Sequence, residues 1–499
     1  MSALRLLGHE QRAFFYCLVI FCLAYAYELT NFNVSIDDEF LAFAKACHFA
    51  NIGRWLHPVI KQTLWRQMVV PTGPLLVFGA ALSLAYVVVL RVFSFSRLTA
   101  GHGVVFAAFV LFPTWMAQME FSANLIPVAV GLVCAVLAAW VLLGPLALRG
   151  PAWPLWGRVA TAAGLVAVSV GAYQSLPLLT LVLVLAGSLR PVARAEVAAR
   201  TFWHMMGAGV VALVLGSALS LGMAKLVMLA CGVGVDVYAQ SHFDPGAFWR
   251  DPLGMWQMVF KDAGRQVWGY WKPFGVAHLV FTAAIVLCVA ICLHAAARQR
   301  RWLVLGGLFI IFMVPTGFAL VTGNVLPVRA YFATAGVMCS FLLLAYGMAQ
   351  RPWAKGAVVA VALLVAVQGL YIHSVQQARG WVVRQHDARL AMGIYNEVMR
   401  QSGVSETSAV WVDIRGKKVF KSIFPAVEGT SHGQSFFEWD EGSVYRIIYY
   451  LHLMGYPNIL RLQERVPGEF DAAYAAMPVW PAPGSVRAFG AGYLVKLSP

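Results

Sequence analysis

The chain has 499 residues, of which 60% are hydrophobic and only 12% charged, with a mean hydropathy of +0.71. Soluble globules carry roughly a quarter charged residues, so the composition excludes one and indicates a polytopic protein of the lipid bilayer. The net charge of +15 does not point to nucleic acid, because Arg and Lys fall mainly in short loops between apolar runs, where they set topology.

A helix needs about 20 apolar residues to cross roughly 30 Å of hydrocarbon. Runs of that kind occupy 13–29, 71–93, 103–118, 124–148, 203–230, 275–297, 302–322, 331–349 and 354–374. The first has no small-residue cleavage site and reads as a retained helix. Between Arg158 and Leu189 the apolar run is interrupted by Tyr173, Gln174 and Ser175, with Pro177 just after. Each half has about fifteen residues and reaches about 22 Å, short of a full crossing. Arg149 and Arg158 precede this stretch and Arg190, Arg194 and Arg200 follow it, which predicts a short hairpin with both ends cytoplasmic. Its polar tip would then lie inside the bundle, at the floor of an outward-facing cavity.

With Arg5 and Arg12 inside, the remaining basic loops (Arg91 and Arg97; Arg298, Arg300 and Arg301; Arg351 and Lys355) all fall on the same side. The expectation is about eleven crossings and an external C-terminus. Residues 30–70, 119–123, 231–274 and 323–330 become outer loops. Of the eight cysteines, Cys17, Cys22, Cys134, Cys288, Cys292 and Cys339 lie in apolar runs and read as small hydrophobes. Only Cys47 and Cys231 could meet an oxidising compartment, where a bridge between them could form.

The first outer loop carries Ser35-Ile36-Asp37-Asp38-Glu39, three consecutive carboxylates in a chain with only 22 acids. Two readings are compatible. Ser35 and Asp38 have the spacing of a capping box, and acids suit a helix's first turn; the same capped turn is also a rigid mount for a general base. Ile36 to Ala50 reads as an interfacial helix stopping near Asn51-Ile52-Gly53, and Leu56 to Met68 as a second, with Pro58 in its first turn. On the first, Asp38 and Lys45 are seven apart and share a face, with His48 close by. Arg54 and Trp55 occupy the corner, as membrane anchors or as ligand contacts. The 231–274 loop holds Trp249, Trp256, Trp268 and Trp271 with Pro245 and Pro252, rings that suit either a membrane interface or stacking on sugars.

Near Gln376 the long apolar runs stop. Gln377 to Gln401 reads as an amphipathic helix, Ser408 to Ile414 as a strand and Val444 to Met454 as a helix. Val486 to Phe489 and Tyr493 to Leu497 read as a closing hairpin. The chain thus divides into a membrane domain, 1–375, and an external α/β domain, 376–499.

No Walker loop, HExxH, GxSxG in a strand-to-helix context, or Cys/His metal spacing occurs. His57, His102, His204 and His294 are isolated and read as packed or interfacial. What remains is a candidate outward cavity lined by Asp37, Asp38, Glu39, Glu120, Asn124, Tyr173, Gln174 and Arg329, the last following Asn324 and Pro327. Carboxylates opposite an Arg suit a lipid-phosphate substrate: the Arg holds the phosphate and a carboxylate takes a proton from an incoming hydroxyl. The departing phosphate needs a fixed Arg or a divalent cation held by the carboxylates.

SIDDE after the first helix, NIGRW, the GAYQS tip, the Pro327 to Arg329 turn and a terminal MP-(x)2-P-(x)2-GSV followed by YLVKL resemble the Gtr-II type of serotype-converting O-antigen glucosyltransferases. The resemblance implies a GT-C-like, all-α polytopic fold in a bacterial inner membrane, with the N-terminus cytoplasmic and the C-terminus periplasmic. It implies transfer of a hexose, glucose in the first place, from a polyprenyl-phosphate carrier to a lipid-linked or surface glycan, with inversion of the anomeric centre when the acceptor attacks from the opposite face. Transfer of another sugar, such as mannose or aminoarabinose, from the same kind of carrier is the alternative within the enzyme class. Carried over by position, Asp37, Asp38 and Glu39 supply the base, with Asp38 favoured for its alignment with Lys45. Arg329 and Arg54 bind the donor phosphate, and Lys496 of YLVKL belongs to the external domain's face toward the site. A secondary transporter or lipid-linked sugar flippase would also be polytopic with polar membrane groups, but would show matched halves, and the hairpin has no counterpart in the second half.

Overall fold

A computed structural model describes residues 8–499 apart from 33, 236–243, 245, 270–278, 428–429, 465 and 467. The readings that rest on Arg5, Pro245 and Trp271, and on the side chain of Trp268, lie outside the described residues. The chain forms two compact units. The first comprises Met1–Asn33, Lys45–His373 and Glu428–Thr430, and the second Val34–Ala44, Ser374–Val427 and Ser431–Pro499.

The first unit is helical. Among the described residues six helices are long and apolar enough to cross a membrane: Gly73–Val92, Ser122–Leu146, Leu155–Ala172, Arg200–Cys231, Arg298–Thr322 and Pro352–Ser402. Ala100–Val110 and Pro113–Met119 meet at 55° and make a seventh if they form one broken span. The break has a cause in the sequence, since Pro113 has no N–H to continue the helix. Leu178–Ala193, Leu279–Ala295 and Phe332–Met348 are apolar but shorter, so among the described residues length and composition identify six or seven of the expected eleven spans.

The hairpin also differs from expectation. Its first arm, Leu155–Ala172, has 18 residues and reaches about 27 Å, so it is not too short to cross. The helix begins after Pro154, one turn before Arg158, whose guanidinium donates to the Leu142 carbonyl at 2.6 Å. The second arm, Leu178–Ala193, has 16 residues. The Cys47–Cys231 bridge is formed, tying the 3-10 helix Ala46–Ile52 to the end of Arg200–Cys231.

In the second unit β1 (Val410–Arg415), β2 (Ile459–Arg461), β3 (Val486–Phe489) and β4 (Gly492–Lys496) form one sheet in the order β2-β1-β4-β3. β1 is parallel to both β2 and β4, while β3 and β4 form the antiparallel closing hairpin. Gly490 makes its turn at φ +57°, a region that costs glycine nothing. The core packs Ile36, Leu390, Ile394 and Val398 against Val412, Ile414, Ile447 and Leu451. Burying Ile36 here fixes the residue next to the acidic triplet.

Candidate active site

The predicted helix from Ile36 to Ala50 is broken. The chain makes a short helix, Asp38–Leu41, and then the 3-10 helix Ala46–Ile52. Lys45 is an extended N-cap residue between them. The alignment of Asp38 with Lys45 on one helical face therefore fails. The start is displaced too: Asp37, not Ser35, is the N-cap, held left-handed at φ 84°, a conformation that Asp tolerates better than most residues. Asp38 still reaches back toward the Ser35 N–H and hydroxyl, at 3.4 Å each, too long for strong bonds.

This turn sends Asp38 and Glu39 inward, both fully buried. Their neighbourhood is set by a residue that sequence reasoning missed, Arg446 on the helix Val444–Leu453. Its guanidinium donates to Glu39 at 2.6 Å and to Asp440, and lies 3.0 Å from Asp37. One cation thus faces three carboxylates and cannot neutralise them all. Burial pushes Glu39 from 4.5 up to about 7; Arg446 opposes the shift and Asp37 adds to it. Burial alone would lower Arg446, but the carboxylates of Asp37, Glu39 and Asp440 outweigh it and raise its pKa. The second oxygen of Glu39 accepts no hydrogen bond among the described residues. A buried carboxylate that exchanges its proton near neutrality has the properties of a general base.

The triplet does not fit a metal ion. Asp37 and Glu39 each turn an oxygen to Arg446, whereas Asp38 points back to Ser35. Among the described residues no group of three or more His, Cys, Asp or Glu side chains could hold one.

In the first unit the structure brings several of the singled-out motifs together. Arg54 stacks 4.1 Å over the Tyr173 ring, and its Nε donates to Gln174 at 3.4 Å. Gln174 in turn donates to the Ile52 carbonyl at 2.7 Å. Trp55 is buried, donates to Ser220 at 2.8 Å, and packs against Gly171, where a Cβ would lie 2.3 Å from its indole. His57, fully buried, lies 3.1 Å from the Ala172 carbonyl. Ser175 donates to the Ala330 carbonyl, Tyr173 meets Phe332 edge-on, and Arg329 stacks 4.7 Å over Phe121. The NIGRW corner, the hairpin tip, the Arg329 turn and the Glu120 loop are thus one cluster.

Glu120 is half-buried beside Phe121, and Asn124 is buried with its side-chain oxygen unpartnered among the described residues. In the preceding helix, Pro113–Met119, Gln118 is fully buried and neither of its amide atoms has a partner among the described residues. It was overlooked, though a polar side chain in an apolar helix was the available signal. Lys496 is spent within its own unit, donating to the Tyr474 and Met477 carbonyls at 2.8 and 3.2 Å, which secures the MP turn.

The apolar helices and this cluster of polar groups at their ends define a polytopic helical membrane protein. The family model for glucosyl transferase GtrII matches residues 26–346, and the chain belongs to that family. It is accordingly a glycosyltransferase, acting on a sugar donor and a glycan acceptor, which sets aside the transporter and flippase readings. The match covers the triplet, Arg54, the hairpin tip and Arg329; Arg446 lies beyond it. Neither a curated protein nor a solved structure matches the chain significantly.

Proposed function

We propose that the chain moves a hexose, glucose in the first instance, from a polyprenyl-phosphate carrier to a hydroxyl of a lipid-linked or surface glycan, with inversion. The reaction takes place on the periplasmic face of the bacterial inner membrane. The observation that carries this reading is Glu39: a buried carboxylate, held to Arg446 at 2.6 Å, with its proton affinity near neutrality, in the loop that the GtrII match covers. Glu39 accepts the acceptor hydroxyl's proton as that oxygen bonds to the anomeric carbon. The bond from that carbon to the phosphate oxygen breaks, and polyprenyl phosphate leaves with the electron pair. The family resemblance assigns the charge of the departing phosphate to Arg329 and Arg54. Glu39 replaces Asp38 as the favoured base, because the alignment that favoured Asp38 is absent; the negative charge of Asp37 helps to raise the proton affinity of Glu39.

The proposed topology keeps about eleven crossings, the N-terminus cytoplasmic and residues from 376 onward periplasmic. It is supported by the basic loops, and by the Cys47–Cys231 bridge, which belongs in an oxidising compartment. Mass spectrometry of surface glycan from cells with and without the gene tests the function. One added hexose per repeat unit, present only with the gene, is expected; identical glycans would refute it.

A further inference from the structure

A cavity of about 640 Å³ opens at one end of the first unit's helices, a size usual for small-ligand sites. It lies where Gly73–Val92, Leu178–Ala193 and Phe332–Met348 end and where Ala100–Val110 and Pro352–Ser402 begin. Arg97, Arg190, Arg194 and Lys355 line it, and no carboxylate among the described residues does. Glu196 approaches Arg194 at 3.8 Å from an exposed position, leaving the positive charge largely unbalanced. The cations are preset by the fold. Arg190 donates to the Phe93 carbonyl and stacks 5.0 Å from the Phe95 ring, Arg194 donates to the Gly347 carbonyl, and Lys355 lies 5.8 Å over Tyr346.

A second observation, independent of the charges, points to a ligand. His102 lines the same cavity and is 2% exposed. Its Nδ1 accepts the Thr99 N–H at 3.1 Å. A backbone N–H can only donate, so the ring is neutral at Nδ1 and carries its proton on Nε2. That Nε2 is buried and has no partner among the described residues. A buried N–H with no acceptor is costly, and beside four cations the group that would satisfy it is an anionic oxygen. The positive ends of the helices beginning at Ala100 and Pro352 add to the same preference.

We propose that this cavity binds the phosphate of an anionic phospholipid headgroup. Its place at the ends of spanning helices puts it at headgroup depth, and basic pockets between membrane helices suit such lipids. The role is separate from sugar transfer and uses none of the residues assigned to it.

The test is lipid retention by the purified full chain in detergent, read by native mass spectrometry with phosphatidylglycerol against phosphatidylcholine. Wild type should retain phosphatidylglycerol selectively. Arg97→Gln with Lys355→Gln should lower that selectivity about thirtyfold, since each basic residue near an anionic headgroup contributes a factor of about five. Exposed Arg149→Gln with Arg200→Gln should leave it unchanged. His102→Asn keeps an acceptor for Thr99 through Oδ1 but removes the Nε2 donor, and should lower selectivity about tenfold, as a hydrogen bond to a charged group does. Equal retention of the two lipids would overturn the proposal, as would equal losses in the pocket and control variants. Displacement of the lipid by millimolar inorganic phosphate, or by polyprenyl phosphate in preference to phosphatidylglycerol, would also overturn it, assigning the cavity to a free anion or to the carrier.

Discussion

Glu39→Gln separates the chemical role of the acidic turn from its structural one. The substitution keeps the side chain's shape and an acceptor for Arg446, which retains Asp37 at 3.0 Å and Asp440, so the turn should persist. Glu39 is raised from 4.5 to about 7, a difference of about 3 kcal/mol. An unfolded chain loses this proton near 4.5, whereas the folded one keeps it until about 7. Between those values the folded state binds more protons, so stability falls as pH rises, by about 3 kcal/mol in all, and is level on either side. Activity runs the other way, because only the ionised carboxylate accepts a proton. Wild-type turnover should climb through pH 7 while thermal stability declines over the same range and below it. In Glu39→Gln both dependences should vanish, and turnover at pH 8 should drop about 10²- to 10⁴-fold. The assay pairs radiolabelled hexose transfer with thermal unfolding in detergent at each pH. Wild-type turnover in the variant, or an unchanged acid limb, would refute the reasoning.

Further outcomes follow from the same geometry. Arg446→Gln leaves buried Glu39 without its cation and should destabilise the second unit by about 2 kcal/mol, less than a fully buried pair because Asp37 and Asp440 can rehydrate; limited proteolysis of the purified chain measures this. Gly171→Ala places a Cβ against the Trp55 indole and should disturb its bond to Ser220, lowering the thermal midpoint through an overpacking cost of about 1–3 kcal/mol. Arg329→Lys keeps the charge but loses the two-pronged grip on phosphate, so KM for the donor should rise while the melting profile stays that of wild type.

The two regions of the candidate site were unequally legible. Glycine and polar residues inside apolar stretches marked the NIGRW corner and the GAYQS tip. Each motif shows within its own short stretch, although the bond that joins Arg54 to Gln174 spans 120 positions. The closing hairpin was equally visible, since Val486–Phe489 and its partner strand alternate around Gly490. Arg446 was not legible, because its bond to Glu39 spans 407 positions and a lone Arg on an amphipathic helix reads as a solvated charge. Nor was the break after Leu41: side-chain periodicity over 36–50 favours a helix, and only the left-handed Asp37 and the burial of Ile36 in the second unit's core override it. β2 has three residues, too few for alternation to register. Pro352–Ser402 runs as one helix because nothing near Gln376 breaks it, even where its apolar face changes.

The central claim is hexosyl transfer from a lipid phosphate, and reconstitution of the purified chain with polyprenyl-phosphate glucose and an acceptor glycan tests it most directly. The account predicts release of one polyprenyl phosphate for each glucose added, with the new linkage of opposite anomeric configuration to the donor by NMR. Glucose transfer from a nucleotide sugar in its place, or retention of the donor's configuration, would contradict it.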